Sequence, residues 1–597
     1  MKKILMTFAA VFCCLMTMTV LIACSSNEDN PSGDPVMESG IVGSWCTDLT
    51  GRTFALWNYG PALNSLTLRA DGTGEINTYY IIEEKPIARE HLSFEYVTLG
   101  DGQLVMSMDD GDWDYTYRLV DGKLILADGG SGVTYERTDD AMTAKLDEWS
   151  KLELEPVPAP ARYTVFVYGN AGGHMDNIIE DGFWDKLQPL LKDKGNVRVV
   201  CFYKYGKGTN SKYADAGDIV WFELNDETDL NSLRESGLQI HGYGEQAKEL
   251  KLCNPKTLRM FIEISSLFCP AQEYIFSIWG HGSGFNPFFD IPGKYDLARP
   301  ATRGVIGDEW NEDEQLDMYE LSAAIRESGA VGYLNTILFH NCLMGNLETL
   351  AELRDVTDYI MASAHVLSSD GIVLTEFVKG LMESDNTVDA AGKMFKNMRP
   401  NWDEQYVDDV EEGENLPNGD YKMIRTDKFD AIFDGAKQLA ARLIALYPTQ
   451  KEAIDRATNR VYRFLTPGGE FDYQVCFFDL ADYARVAAEE TGDAQLAAIS
   501  KAIDKAFSDA FVYSADVNWN EQHLDHYTLS VTLFDKKYYT FDWKADGLCF
   551  GDRYVLSNID EGYEQTTFHK LTGWGDWMRI NEMHPHGNPT SQGGGPL

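Results

Sequence analysis

Basic residues are scarce in this chain of 597 residues. It has 51 lysines and arginines against 94 aspartates and glutamates, which gives a formal net charge of −43. A surface with this balance repels phosphate backbones, and no stretch concentrates the basic residues, so we expect no nucleic acid among the partners. Such a surface attracts cationic substrates, although the need for solubility alone also explains it.

Closely spaced cysteines are also missing. The ten cysteines are scattered without a Cys-x-x-Cys pair, so neither a zinc cluster nor a dense disulfide framework is indicated. His523 and His526, like His584 and His586, lack carboxylate or cysteine ligands in a metal-binding pattern, and we expect no metal site. Seven cysteines remain after the three that precede residue 25, and an odd number leaves at least one free thiol, for which Cys342 is the candidate.

Long apolar runs are absent beyond the N-terminus. The one run, from Ile4 to Ile22, follows two lysines and ends in Leu-Ile-Ala-Cys24, which resembles the bacterial lipobox whose cysteine is lipidated and becomes the mature N-terminus. The alternative is a signal anchor that is never cut. We expect a signal peptide over residues 1–23, a tether over residues 24–40, and an outer-membrane lipoprotein of the cell envelope held by lipid on Cys24. The acidic stretch after Cys24 is similar to surface-export signals of Bacteroidetes-type lipoproteins.

Short alternating strands separated by Asp-Gly turns fill residues 41–140 and predict a small all-β barrel or sandwich. Its opening IVGSW, followed by LTLRADGTG, resembles the lipocalin-like domains of Bacteroidetes lipoproteins. Ligand binding in this domain and a spacer or propeptide role both remain open. A Pro-rich linker over residues 141–161 follows, and it begins with a possible short helix.

Apolar strand patterns alternate with amphipathic helical patterns over residues 162–385. This alternation predicts an α/β domain with a mostly parallel sheet covered by helices. From residue 386 the pattern is helical through Asp509 and then returns to strands, so residues 386–597 form a C-terminal helical and β region.

Two buried strand patterns in this domain end on reactive side chains. YIFSIWGHGSGF carries His281 into a glycine-flanked turn, and TILFHNCLMGNLE carries Cys342 to the start of a helical pattern. The 61 positions between them hold enough chain for a crossover that brings the two strand ends side by side. A thiol and an imidazole so placed suggest a nucleophile and its base. Taken singly, the cysteine is more often a small core residue and the histidine a turn residue.

The same segments resemble the clostripain-like cysteine peptidases, which have a caspase-like fold. The resemblance lies in WGHGSG, in CLMG followed by a helix, and in the C-terminal YEQTTFHKLTGWGDWM, and it covers about Arg162 to Met578. It implies that Cys342 attacks a peptide carbonyl, that His281 transfers the protons, and that the N–H groups of Gly282 and Cys342 form the oxyanion hole. A nearby helix start is expected to lower the pKa of the Cys342 thiol.

The resemblance fails where the family binds a basic side chain. Family members commonly have Asp-Ala-Cys at the nucleophile, whereas this chain has His340-Asn341-Cys342, and the usual acidic pair after the next strand is replaced by Ala364-His365. We expect the substrate pocket to be lined by His340, Asn341, Ser363 and His365. Without carboxylates there, cleavage after Arg or Lys is not expected.

The sequence therefore predicts an exported, monomeric cysteine endopeptidase that cleaves proteins or peptides and needs no cofactor, although calcium is used in part of the family. The alternative is a non-catalytic surface lipoprotein that keeps the fold and binds a peptide or a glycan. A zymogen that is activated by cleavage in the loop from Asn286 to Asp317 or in the acidic stretch from Asp403 to Asn418 is a third possibility.

Overall fold

The chain forms two compact units, Met1–Val157 and Pro158–Leu597, in a computed structural model. The structure describes residues 40–47, 62–82, 85–99, 102–108, 111–127, 133–154, 158–170, 176–191, 196–233, 251–282, 284, 306–307, 315–316, 318–328, 331–365, 367, 372–409, 419–464, 476–517, 526–533 and 566–581. The expected signal peptide and Cys24 lie outside these residues, as do most of the two expected cleavage segments. Each unit has its own hydrophobic core.

Eight antiparallel strands close into a barrel in the N-terminal unit. Each strand pairs with the next, and the last strand pairs with the first. Asp121 and Gly122 join two of the strands with φ of 51° and 77°, the left-handed geometry that an Asp-Gly hairpin turn favours. The barrel, rather than the sandwich, is therefore the architecture of this unit, and it fits a lipocalin-like domain. The strands are β1 (Gly43–Thr47), β2 (Ala62–Leu68), β3 (Thr73–Ile82), β4 (Lys85–Leu99), β5 (Gln103–Met108), β6 (Gly111–Val120), β7 (Lys123–Ala127) and β8 (Val133–Arg137).

A helix, α1 (Asp140–Ser150), follows the barrel strands at the start of the expected linker. The Asp139 side chain caps it by accepting a hydrogen bond from the backbone N–H of Met142 at 2.7 Å. Trp149 near its end packs against Tyr79 of β3, with 5.3 Å between the ring centroids. The helix thus adds a small apolar cluster to the N-terminal unit.

An eight-stranded mixed sheet forms the centre of the C-terminal unit, in the order β11-β10-β9-β12-β15-β16-β17-β19. The five strands from β10 to β16 in this order are parallel, whereas β11, β17 and β19 run antiparallel to their neighbours at the two edges. The prediction of a mostly parallel sheet covered by helices is confirmed. These strands are β9 (Ala161–Asn170), β10 (Val197–Lys204), β11 (Ile219–Leu224), β12 (Ala271–Gly280), β15 (Leu334–His340), β16 (Thr357–Ala362), β17 (Gly419–Arg425) and β19 (Phe511–Val517).

Two small sheets and a set of helices complete this unit. β13 (Ile306–Gly307) pairs with β14 (Gln315–Leu316), and β18 (Cys476–Asp479) pairs with β20 (Ser530–Leu533). Short helical turns cover Asp176–Ile179, Glu180–Trp184 and Asp185–Leu187. The longer helices are α2 (Pro255–Phe268), α3 (Met318–Glu327), α4 (Leu347–Leu353), α5 (Leu374–Glu383), α6 (Thr387–Asp409), α7 (Phe429–Arg460), α8 (Leu480–Thr491), α9 (Ala494–Ala510), α10 (Thr567–Thr572) and α11 (Trp574–Ile580).

The region after residue 386 is less helical than its sequence pattern predicts. Helices α6 to α9 are present, but β17 and β18 lie among them. β17 carries Asp420 and Lys422, which are both fully buried, and it ends on the exposed Arg425. Because charged residues are almost never fully buried unless they are paired, two of them in a short run do not indicate an inner strand. The burial of this pair is what conceals β17 in the sequence.

Free thiols, not disulfides, are found at five cysteines of the described residues. Cys46, Cys201, Cys253 and Cys269 are buried, whereas Cys342 is partly exposed. Burial strongly raises the pKa of the Cys201 and Cys269 thiols. Since the thiolate is the reactive form, these two buried cysteines are chemically inert compared with an accessible thiol.

Candidate active site

His281 and Cys342 leave neighbouring parallel strands at the same level of the sheet. β12 and β15 pair in register from Ile275↔Thr336 to Trp279↔His340. His281 and Cys342 each lie two positions beyond the last of these pairs. Because adjacent strands are about 4.8 Å apart, the register brings the turn with the imidazole next to the turn with the thiol. The structure thus places together the two reactive residues that the sequence indicates.

The backbone of the His281 turn packs directly against the Cys342 turn. A Cβ atom on Gly282 would lie 2.5 Å from the carbonyl oxygen of Cys342 and 2.7 Å from Cβ of Asn341. Asn341 Nδ2 donates a hydrogen bond to the carbonyl oxygen of His281 at 3.1 Å. Gly282 is therefore required for the close approach of the two turns. Asn341, expected from the sequence to line the substrate pocket, joins the turns together.

Cys342 is held from one side by the backbone of Leu367. The Leu367 N–H donates to Sγ at 3.4 Å, and the Leu367 carbonyl oxygen lies 3.7 Å from Sγ. Burial raises the pKa of the thiol above its ordinary value of 9.0, although the Leu367 hydrogen bond acts in the opposite direction. The expected lowering by a helix start is wrong, because α4 begins only at Leu347, after its cap Asn346, and is only seven residues long.

His340 lies beneath the nucleophile turn as a buried residue. Its ring meets Trp279 edge-on with 3.6 Å between centroids, and its Nε2 accepts a hydrogen bond from the Ile372 N–H at 3.3 Å. Leu367 and Ile372 contact Cys342 and His340 respectively, so the two side chains face the same chain segment, as their two-residue spacing predicts. An Nε2 that accepts from an amide carries no proton, which describes a neutral imidazole.

His365 and Ser363 belong to a buried polar network. His365 Nδ1 lies 2.8 Å from Asp420 Oδ1, and its Nε2 lies 2.8 Å from the Tyr462 hydroxyl. The ring is also enclosed by Phe464 and other aromatic side chains. Ser363 Oγ lies 3.0 Å from the same Asp420 oxygen. Both ring nitrogens of His365 are thus engaged within the protein, whereas the sequence predicts a pocket-lining role.

The sequence does not predict two further residues of the site. Asp420 comes from β17, which the sequence pattern does not reveal as a strand. Asn346 caps α4 and also donates through Nδ2 to Ser530 and Thr532 on β20, at 3.3 Å each. The only available signal for Asn346 was its place before a helical pattern, where asparagine is a common cap. Neither long-range contact is visible in the sequence.

Metal sites and membrane spans are not found in the described part of the chain. No group of three or more His, Cys, Asp and Glu side chains there is arranged to hold a metal ion. No helix among these residues is both long and apolar enough to cross a bilayer.

A family model matches the part of the chain that carries both the His281 turn and the Cys342 turn. The model of the clostripain family of peptidases matches residues 193–531, which is more than half of the chain. The chain belongs to the clostripain family. It is accordingly a cysteine peptidase, and its substrates are proteins or peptides. Among curated proteins, none matches the chain.

Solved structures of clostripain-family peptidases are similar to this chain at low sequence identity. A secreted C11 cysteine protease from Bacteroides thetaiotaomicron is 14% identical, with a TM-score of 0.43 over 70% of this chain and 100% of its own. An inactive zymogen of a C11 protease from Parabacteroides distasonis is 15% identical, with a TM-score of 0.42 over 70% of this chain and 99% of its own.

Proposed function

We propose that this clostripain-family peptidase cleaves peptide bonds with Cys342 as the nucleophile and His281 as the general base. The observation that carries the proposal is the register of β12 and β15, which aligns the two residues on adjacent strand ends. His281 is exposed and Cys342 is partly exposed, so a substrate reaches both. The close packing of Gly282 on Cys342 supports an oxyanion hole formed by the N–H groups of these two residues.

The chemistry follows from these positions. His281 takes the proton from the Cys342 thiol, and the thiolate attacks the peptide carbonyl to form a tetrahedral oxyanion. The protonated His281 then gives its proton to the leaving amine, and a thioester remains on Cys342. Water, deprotonated by His281, hydrolyses the thioester and releases the carboxylic acid. Because burial raises the pKa of the free thiol, proton removal by His281 matters more than it does for a pre-ionised cysteine.

A mixed peptide library tests the assignment of the two residues. The purified mature chain is expected to cleave it, whereas Cys342→Ala and His281→Ala remove cleavage while keeping the thermal midpoint. His91→Ala serves as the matched control, because His91 is an exposed histidine on β4 of the N-terminal barrel. Full activity of Cys342→Ala would overturn the assignment. A folded wild type that cleaves nothing, and whose Cys342 resists thiol-directed probes, would also overturn it and would favour a binding role.

We further propose that the residue before the cleaved bond is not Arg or Lys. The positions that commonly carry carboxylates in the family hold His340 and the pair Ala364-His365 here, and His340 is a buried, neutral imidazole. The carboxylate that contacts His365, Asp420, is itself fully buried beside Lys422. A basic side chain would therefore find no accessible negative charge on these residues.

The amino acid found before the cleaved bond tests the proposal that this residue is not Arg or Lys. Product sequencing from the library is expected to show uncharged residues there, and His340→Asp is expected to raise the share of cleavage after Arg and Lys. A wild-type preference for Arg or Lys would contradict the proposed specificity while leaving the Cys342 assignment intact.

Export and anchoring are proposed from the N-terminal sequence. Residues 1–23 would be removed and Cys24 would carry the lipid that attaches the mature chain to the outer membrane. Metabolic labelling with a fatty-acid analogue is expected to mark the protein, and Cys24→Ala is expected to abolish the label. Labelling that persists in Cys24→Ala would refute the lipobox, and surface biotinylation of intact cells then tests orientation separately.

A further inference from the structure

Leu343, the residue after Cys342, has a strained backbone. Its φ is 62°, in the left-handed region that non-glycine residues rarely adopt. Among the described residues, Asp121 is the only other non-glycine residue there, and it belongs to a hairpin turn that favours this conformation. Strain of this kind persists only where the surroundings hold the backbone in place. The turn that carries Cys342 therefore needs an external support.

The support comes from the chain that follows β16. Ser363, Ala364, His365 and Leu367, which we call the bracing segment, bind the Cys342 turn at three places. The three hydrogen bonds run from Leu343 N to the His365 carbonyl oxygen at 3.0 Å, from Gly345 N to the Ser363 carbonyl oxygen at 2.6 Å, and from Leu367 N to Cys342 Sγ at 3.4 Å. The position of the nucleophile thus depends on where the bracing segment lies.

One carboxylate oxygen holds most of the bracing segment. Asp420 Oδ1 accepts hydrogen bonds from four donors. They are Ser363 Oγ at 3.0 Å, Ala364 N at 3.0 Å, His365 N at 3.0 Å and His365 Nδ1 at 2.8 Å. An ionised carboxylate accepts such hydrogen bonds more strongly than a neutral group, and it fixes their geometry in a water-free interior. The segment is therefore shaped around Asp420.

Asp420 is held as an anion although it is fully buried. Burial by itself raises the pKa of this carboxyl, but the hydrogen bond from His365 and the charge of Lys422 outweigh burial and lower the pKa. Lys422 Nζ lies 3.8 Å from Asp420 Oδ2 and also forms an ion pair with Asp516. Asp516 accepts hydrogen bonds from Lys422 and Ser514, and its Oδ2 lies 3.7 Å from His526 Nδ1.

We propose that Asp420 is a positioning residue of the peptidase, which orients Cys342 and the strained Leu343 backbone through the bracing segment. The proposal rests on the assignment of Cys342 as the nucleophile. Loss of the carboxylate lets the bracing segment move, so that the Leu367 N–H no longer stabilises the thiolate and the turn relaxes. The turnover number kcat then falls, whereas KM stays nearly constant because Asp420 does not face the substrate.

The test compares Asp420→Asn with Asp516→Asn in the full mature chain. Both variants remove one negative charge beside Lys422, but it is Asp420 that accepts the four hydrogen bonds from the bracing segment. Each is followed by kcat and KM on a cleaved peptide and by the pH profile of Cys342 alkylation with iodoacetamide, read by mass spectrometry. The alkylation profile reports the ionisation of the Cys342 thiol independently of peptide cleavage. It therefore remains valid even when the assignment of Cys342 as the nucleophile fails.

For Asp420→Asn we expect kcat to fall by roughly 10- to 100-fold, as expected for a misplaced catalytic group, and the thiol pKa to rise. A purely electrostatic effect has the opposite sign, because the loss of a nearby anion lowers the thiol pKa. Asp516→Asn is expected to keep kcat and to leave the thiol pKa unchanged or lower.

Two results would overturn the proposal. They are an Asp420→Asn variant with wild-type kcat and alkylation profile, and a fall of the thiol pKa in both variants. If Asp420→Asn does not fold, Ser363→Ala replaces it, since this change removes one of the four donors and leaves the charge in place. A smaller shift of the thiol pKa in the same direction supports the proposal, and an unchanged profile with unchanged kcat contradicts it.

Discussion

Gly282 and Cys342 are packed so closely that a Cβ atom on the glycine would lie 2.5 Å from the carbonyl oxygen of the cysteine. Real Cβ atoms essentially never come this near to another heavy atom, and the obstacle is backbone, which cannot rotate away. The absence of a side chain at this position thus sets the distance between the turn of the imidazole and the turn of the thiol.

Gly282→Ala is therefore expected to separate the two turns. We expect kcat/KM to fall on the order of 10²-fold, since small misplacements of catalytic groups have effects of this size. Gly208→Ala is the control, because a Cβ there meets nothing within 4 Å, and its kcat/KM should match the wild type. Peptide hydrolysis by both variants measures the difference, and a fully active Gly282→Ala would contradict the described packing.

The reactivity of Cys342 in the free enzyme is expected to rise through alkaline pH. Burial raises the pKa of this thiol above 9.0, and only the thiolate reacts, so the rate of alkylation by iodoacetamide should still increase above pH 9. Buried Cys201 and Cys269 should label far more slowly, and Cys342→Ala supplies the background. An alkylation rate that is already constant below pH 8 would contradict the raised pKa. It would mean that a group other than Leu367 stabilises the thiolate.

The C-terminal helices are expected to be essential for the stability of the catalytic unit. Trp574 on α11 is fully buried, and its indole N–H donates to the Thr532 carbonyl oxygen at 2.8 Å. We expect Trp574→Ala to lower the free energy of unfolding by about 3–5 kcal/mol. Ile580 at the end of the same helix is 39% exposed, so Ile580→Ala should change the free energy of unfolding by only about 0.5 kcal/mol. Urea unfolding of both variants measures the contrast, and equal effects would argue against the packing of α11.

Asp479 is expected to make stability depend on pH between about 4 and 6. Burial raises the pKa of this cap of α8 from 3.8 to about 6, so the folded state binds its proton more tightly than the unfolded state. Its contribution is complete below pH 3.8 and is lost as the pH rises through 6. Relative to Asp479→Asn, the wild type should therefore gain about 1–3 kcal/mol in unfolding free energy between pH 7 and pH 4. A constant difference across this range in urea titrations would contradict the raised pKa.

The sequence sufficed for the parts of the site that depend on local pattern. The apolar runs before His281 and Cys342 predict two inner strands, and the glycine-flanked turn predicts a close approach of backbones. Asp420 could not be found in this way, because the bracing segment that it holds lies more than 50 residues away in the chain and its charge indicates a solvent-exposed position. The direction in which the Cys342 pKa shifts also depends on burial by the whole fold. The spacing between Cys342 and a helix in the sequence does not report that burial.

The sheet grows outward from β9 in an order that nearly follows protein synthesis. On the side that carries the site, β12, β15, β16 and β17 are added one after another as the chain lengthens. Since domains fold from the N-terminus while the chain is still being made, both reactive residues emerge before Asp420 does. On the proposed role of Asp420, a half-made peptidase has its thiol but not the geometry to use it.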